Sequence, residues 1–405
     1  MNHKISIIRL VWVAVAVGGL LVGARLTTPA AASGESGWSA VSSPNPSTYA
    51  NILNAVAAVS ASDVWAVGSY YDSQKGFMET LIEHWDGTSW GVVPSPNANT
   101  TGANILTGVA VVSASDVWAV GYYYNSSLPQ TLIEHWNGAY WSIVPSPTPS
   151  ITRQNVLTGV AAVSAADVWG VGYYQATSGA LLTLIEHWDG TSWNVVSCPN
   201  PSTTGNILNG VAAISADDAW AVGSYYDSQK NVLETLTEHW DGTKWTAVSS
   251  PSPGAYAYNI LTGVAAASAS DVWTVGYFQS SNGALVTLIE HWNGRKWSVV
   301  SSPNLSGTYG SANILRGVAV LSTEDLWAVG HYQNYGTNQQ HQTLTEHWNG
   351  ASWSIVSSPN AGKADDFNGV ATLSGSDVWA VGIYSNYGND YYNNFLAPQT
   401  LVLKR

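Results

Sequence analysis

The chain has 405 residues, of which 10% are charged and 11% aromatic. That is not the highly charged, apolar-poor composition of a disordered chain. The net charge is −13, and all 26 acidic residues follow residue 32, whereas Lys4, Arg9 and Arg25 precede it. Such an acidic balance argues against nucleic acid or an anionic membrane as partner, since both demand a basic patch. With Cys198 as the sole cysteine, no intramolecular disulfide can form.

The first 32 residues read as an export signal. Lys4 and Arg9 are followed by an apolar run of 15 residues, Leu10 to Ala24, and then by the small residues Ala30, Ala31 and Ala32. A secreted protein is expected, retained at the cell surface if the signal stays uncleaved. No later stretch is long and apolar enough to span a bilayer, so no membrane insertion is expected.

From residue 33 to 405 the sequence repeats itself. A landmark of the type S-x-x-D-V-W-A-V-G ends at Gly68, Gly121, Gly172, Gly223, Gly276, Gly330 and Gly382, at spacings of 51–54 residues. A period near fifty without a helical pattern points to propeller blades. Each copy reads as four strands. Strand A is the Ile105–Ser113 type, strand B the Asp116–Tyr124 type, strand C the Thr131–Trp136 type, and strand D a short run opened by Trp141. Their β-branched and aromatic residues suit strands buried on both faces. Asp86-Gly87, Asn137-Gly138 and their counterparts lie between strands C and D and read as two-residue hairpin turns with positive φ.

The 21 tryptophans follow the repeat. Trp12 lies in the signal; the others stand in strand B, at the end of strand C or at the start of strand D. Packing between blades is therefore the expected role, rather than a row for stacking sugars. The last repeat ends in Thr400–Arg405, which aligns with Thr80–Trp85, and lacks its own strand D. Trp38, near the start, stands where Trp90 opens strand D in the first copy. The expected fold is all-β: a seven-bladed β-propeller of four-stranded antiparallel blades, with the last blade closed by the N-terminal strand.

The glycine-ended second strand, the aromatic-ended third strand and the Trp that opens the fourth resemble the kelch repeat. The chain is similar over residues 37–405 to the propellers of galactose-oxidase-like proteins. Where that family has a Gly-Gly pair, this chain has Val-Gly, as at Val67-Gly68. The D-G-T-S-W turn also resembles the Asp-box of sialidase-type propellers, without its spaced Asp-x-Gly.

Glu83-His84, Glu134-His135, Glu186-His187, Glu238-His239, Glu290-His291 and Glu346-His347 could serve acid–base catalysis or zinc. Six copies around a ring cannot converge, and neighbours on a strand point to opposite faces. A buried hydrogen-bond network inside each blade, with the strand B aspartate (Asp63, Asp116 and equivalents), is expected instead; Leu403 and Lys404 replace the pair in the last blade. Cys198 reads as a replacement of the serine found at Ser43, not as the cross-linked cysteine of a copper oxidase. Arg153 and Arg295 fall on opposite faces and form no carboxylate-binding cluster. Asp365-Asp366 and Asn389-Asp390 read as solvated loop pieces without calcium-loop spacing. His331 and His341 are placed in one B–C loop and form no motif. No catalytic residue, metal ligand or cofactor is assigned.

The A–B and C–D turns share one face of the disc, and the B–C and D–A connections share the other. The second set is long and reads as different in every blade, rich in Tyr, Asn, Ser and Gln. Variation collects where a site is built, and these residue types combine flat contact with adaptable hydrogen bonds. A ring of polar residues preceding the Gly-Val or Ala-Val of strand A (Asn54, Thr107, Thr158, Asn209, Thr262, Arg316 and Asn368) is expected at the channel mouth as a ligand-binding site. The function expected is a non-catalytic binding or scaffold module, monomeric, for a carbohydrate or protein ligand. The alternative is a carbohydrate-active oxidase, lyase or hydrolase on the same scaffold, which requires a non-repeated His, Glu, Asp or Tyr on the variable face.

Overall fold

A computed structural model describes residues 37–254, 256–305, 308–334, 338–387 and 397–405. The signal-like segment 1–32 and the pair Asn389-Asp390 lie outside the described residues. Each repeat folds as four antiparallel strands. In the first these are Asn51–Ser60, Asp63–Asp72, Phe77–Trp85 and Trp90–Val92, paired in sequence order. The fifth and sixth repeats are joined by one parallel pairing, Leu285 with Ala312. In the last repeat, Gln399–Lys404 pairs with Ser39–Ala40 from the other end of the chain. Beside this pairing Ser43 Oγ bonds Thr400 Oγ1 at 2.5 Å. Among the described residues no helix is long and apolar enough to cross a membrane.

Strand A carries a bulge at the same place in every repeat. In the first, Leu53 pairs with Gly68 and Ala55 with Val67, so Asn54 is the extra residue. The bulge explains the landmark glycine. A Cβ on Gly68 would lie 1.9 Å from Ile52 O, and on Gly121 it would lie 2.0 Å from Ile105 O. No other residue fits so close to a carbonyl.

The turn between strands C and D differs from the sequence expectation. Trp85 pairs with Trp90, which leaves four residues in the loop rather than two. Only the glycine has positive φ, 95° at Gly87. The Asp86 carboxylate holds the loop by accepting from Thr88 N (2.8 Å) and Ser89 N (2.9 Å), the side-chain mimic of a backbone turn. A bond from Thr88 Oγ1 at 2.6 Å, which weighs most, and these two hold the Asp86 carboxyl down at about 2.

The core lies between repeats. One apolar cluster joins Trp65, Val67 and Ile82 of the first repeat to Leu106, Val117 and Trp141 of the second. Another joins Leu53, Leu81 and Trp90 of the first to Trp379, Val381 and Val402 of the last. Each strand B tryptophan packs edge-on against the strand D tryptophan of a neighbour, as Trp65 does on Trp141 at 5.5 Å and Trp379 on Trp90 at 5.4 Å. Trp327 meets Trp38 in the same way at 5.4 Å. Arg405, in the position that Trp85 holds in the first repeat, covers Trp327 with its guanidinium at 4.4 Å. Tryptophan therefore serves interblade packing, as its distribution implied.

Candidate functional site

Adjacent residues of strand C do point to opposite faces. His84 Nε2 donates to Asp63 Oδ1 at 2.8 Å, and the five equivalent pairs lie at 2.8–2.9 Å. Each ring also lies over the strand B tryptophan of its repeat, 4.2 Å away for Trp65 and His84. In the last repeat Lys404 takes the histidine's place. It pairs with Asp377 Oδ1 at 3.2 Å and sits 4.7 Å over Trp379. The expected partner is present in every repeat, although the histidines are about a quarter exposed and not buried.

The glutamates are the buried partners of that strand. Glu83, Glu134 and Glu238 are fully buried, with no hydrogen-bond partner for either oxygen. Glu186 receives one bond, from Ser146 Oγ of the preceding repeat, at 2.8 Å. Burial pushes the carboxyls of Glu83, Glu186, Glu238, Glu290 and Glu346 up to about 8, and that of Glu134 well above its usual value. Leu403, equally buried, occupies the same place in the last repeat. Cys198 also fills a repeated role. Its Sγ lies 3.2 Å from Thr183 Oγ1, where the other repeats pair a serine with this threonine, as Ser95 with Thr80. Burial raises its thiol to about 12.

The residues expected to ring the channel mouth are the bulge residues of strand A. Six of the seven tie neighbouring strands together. Asn54 Nδ2 donates to Leu106 O at 2.7 Å, Thr107 Oγ1 to Leu157 O at 2.9 Å, and Thr158 Oγ1 to Leu208 O at 2.8 Å. Asn209 Nδ2 donates to Leu261 O at 2.7 Å, Thr262 Oγ1 to Leu315 O at 2.8 Å, and Asn368 Nδ2 to Leu53 O at 2.9 Å. Each acceptor immediately precedes the neighbour's own bulge residue. The side chain thus satisfies a carbonyl beside the break in the ladder.

Arg316 breaks this pattern. Its Nε and Nη2 reach Asp366 Oδ1 and Oδ2, at 3.3 and 3.1 Å. His331 Nδ1 lies 2.8 Å from Asp366 Oδ1, and His341 Nδ1 lies 3.5 Å from Oδ2. The two imidazoles stack nearly parallel, 4.0 Å apart with 6° between their planes. His331, His341 and Asp366 are buried, whereas the Arg316 side chain remains 39% exposed. Burial opposes the charge on Asp366, but Arg316 and the two histidines outweigh it and hold the carboxyl well below its usual value. Burial drives the His331 imidazole down to about 4 despite that carboxylate.

This cluster corrects several expectations. His331 and His341 are not loop residues; they lie in Asp325–Asn334 and Asn338–Trp348, on facing strands. Asp365 and Asp366 are not solvated; both are buried in Ala364–Ser374. Asp365 stands where Asn51 stands in the first repeat. Its Oδ1 accepts from Ala361 N (2.8 Å) and Gly362 N (2.9 Å). Burial raises its carboxyl to about 6. A signal for the cluster existed in the sequence. Asp366 replaces the Ile52 of the first repeat, His331 replaces Ser69, His341 replaces Met78 and Arg316 replaces Asn54.

The D–A connection meets the start of strand C, the end at which the B–C connection lies, through a backbone bond from Leu233 N to Ala257 O at 2.9 Å. Exposed Tyr49, Ile151, Tyr256, Leu305, Tyr309 and Tyr387 all lie in these connections. The B–C hairpins are less varied than expected, because SYYDSQK occurs at 69–75 and again at 224–230. Both copies fold alike: Asp72 Oδ1 accepts from Gln74 N at 2.7 Å, and Asp227 Oδ1 from Gln229 N at 2.8 Å.

No protein-family model and no curated protein matches the chain. Among solved structures it resembles "YCF48 bound to D1 peptide", at 12% identity with a TM-score of 0.51, over 91% of this chain and 94% of that one. It also resembles a protein of unknown function from Dyadobacter fermentans at 8% identity, with a TM-score of 0.49, over 90% of this chain and 97% of that one. The first likeness supports a propeller-type repeat fold.

Proposed function

We propose that the chain is a secreted, monomeric binding scaffold, a seven-bladed propeller closed by its N-terminal strand, that engages a protein partner through the B–C and D–A connections. The observation that carries this reading is the set of exposed tyrosines and aliphatic side chains in those connections. Tyrosine supplies large, rigid contact area at low entropic cost. The YCF48 structure holds a peptide, which makes an extended peptide the first partner to test; a glycan is the second. Closure is supported by Ser39 and Ala40 pairing with Lys404 and Leu403, and by the Asn368–Leu53 bond. The kelch-type assignment rests on the repeat sequence, and secretion on residues 1–32.

Peptide and glycan arrays probed with the secreted chain test the reading. Binding to peptides that falls at least about tenfold in a Tyr256→Ala, Tyr309→Ala, Tyr387→Ala triple variant is expected. Selective glycan binding, or turnover of a sugar polymer, would overturn the protein-partner reading. The enzyme alternative is favoured by one observation, the non-repeated cluster of Arg316, His331, His341 and Asp366, of which only Arg316 reaches solvent to any extent.

A further inference from the structure

We propose that His331, His341 and Asp366 form a binding site for a divalent transition-metal ion of the zinc type. Two imidazoles and a carboxylate are a donor set that such ions take. One nitrogen from each histidine and one carboxylate oxygen lie within 4.8 Å of one another. A four-coordinate ion with bonds of about 2.0–2.2 Å holds neighbouring ligand atoms about 3.3–3.6 Å apart. The distance from His341 Nδ1 to Asp366 Oδ2, 3.5 Å, falls within that spacing, and that from His331 Nδ1 to Oδ1, 2.8 Å, is shorter than it.

The setting is also that of a built site. The three groups sit on strands rather than on loops, which fixes their positions. Arg316 grips the carboxylate from outside the set, and such outer partners orient metal ligands. The repeat itself does not call for these residues, since the first repeat places Ser69, Met78 and Ile52 at the equivalent positions. The two imidazoles stack at 6°, so a shared ion requires one ring to turn about its Cβ–Cγ bond until both lone pairs meet. The ion replaces the hydrogen bond between His331 and Asp366 and the longer contact of His341 with the same carboxylate. It joins the sixth repeat, which supplies both histidines, to the seventh, which supplies the carboxylate. The fourth position belongs to water or to an added ligand.

The test uses the full chain, stripped with a chelator and titrated with Zn²⁺ by calorimetry. Co²⁺ absorption serves as a second probe of the ligand sphere. One tight Zn²⁺ per chain and the visible bands of a four-coordinate Co²⁺ site are expected. His341→Met and His331→Ser restore the residue types of the first repeat and keep the fold testable by circular dichroism. Each is expected to weaken Zn²⁺ binding on the order of 100-fold, and Arg316→Gln about 10–100-fold. The surface His–Asp pairs offer a competing explanation. Binding that is unchanged in both histidine variants places the ion on those pairs and overturns the proposal, as does a wild-type chain that takes up no Zn²⁺.

Discussion

Glu83 and Asp366 are both buried carboxylates in this molecule, and the protein treats them in opposite ways. Glu83 belongs to the repeat, lies between blades without a hydrogen-bond partner, and has its carboxyl pushed up to about 8. Asp366 departs from the repeat, receives Arg316 and His331, and stays ionised far below its usual range. A buried charge survives only where donors are supplied. The repeat supplies its glutamates with a serine hydroxyl at most, as Ser146 for Glu186, so it keeps them as neutral acids. Where the sequence leaves the repeat, Arg316 and His331 supply donors to Asp366.

The largest expected effect is on pH dependence. The glutamate carboxyls bind protons more tightly in the folded chain than in the unfolded one, where the usual value is near 4.5. Their contribution to stability is therefore fully present below about pH 4.5, and it is lost as the pH rises through about 8. Urea unfolding at several pH values is expected to show stability falling by several kcal/mol from pH 5 to pH 9. A flat profile would break the contrast between the two kinds of carboxylate.

A smaller effect isolates the other side. Asp366→Asn leaves the Arg316 charge without its partner and is expected to cost about 2–4 kcal/mol in urea unfolding at pH 7, with the partial exposure of Arg316 keeping it below the full cost of a broken buried pair. Restoring the repeat at both positions, Arg316→Thr with Asp366→Ile, is expected to recover most of that loss. If the double variant is as unstable as the single one, the cluster matters for packing rather than for charge.

The smallest effect has the opposite sign. Glu83→Leu copies Leu403, which fills the same buried place in the last repeat. Thermal unfolding at pH 8 is expected to show a gain of about 1–2 kcal/mol, because the leucine needs no proton to be neutral. The gain is expected to vanish at pH 4. A loss at both pH values would mean that the Glu83 carboxyl makes a contact that leucine cannot replace.

How much was legible in the sequence follows from the range of each interaction. The period, the strands, the interblade role of tryptophan and the His–Asp pairing were readable because they are local or repeated. His84 and Asp63, for instance, sit on adjacent strands of one repeat. The turns were only half legible. Asp-Gly marked their place, but the number of loop residues depended on Trp85 pairing with Trp90. The bulge was not legible, because the ladder shift that frees a carbonyl for Asn54 and its equivalents is set by pairing rather than composition. The cluster was missed for the same reason. His331 and Asp366 stand 35 residues apart, in different repeats, and meet only where two blades pack.

By itself, the sequence determined a repeated all-β chain and marked, through Arg316, His331, His341 and Asp366, where the repeat is broken. Only the tertiary structure decided that these four departures are one site and that Glu83, Glu134 and Glu238 face no donor. The reason is physical. Strand period and turn chemistry act along the chain, whereas burial and hydrogen-bond satisfaction depend on which surface of the next blade a side chain meets.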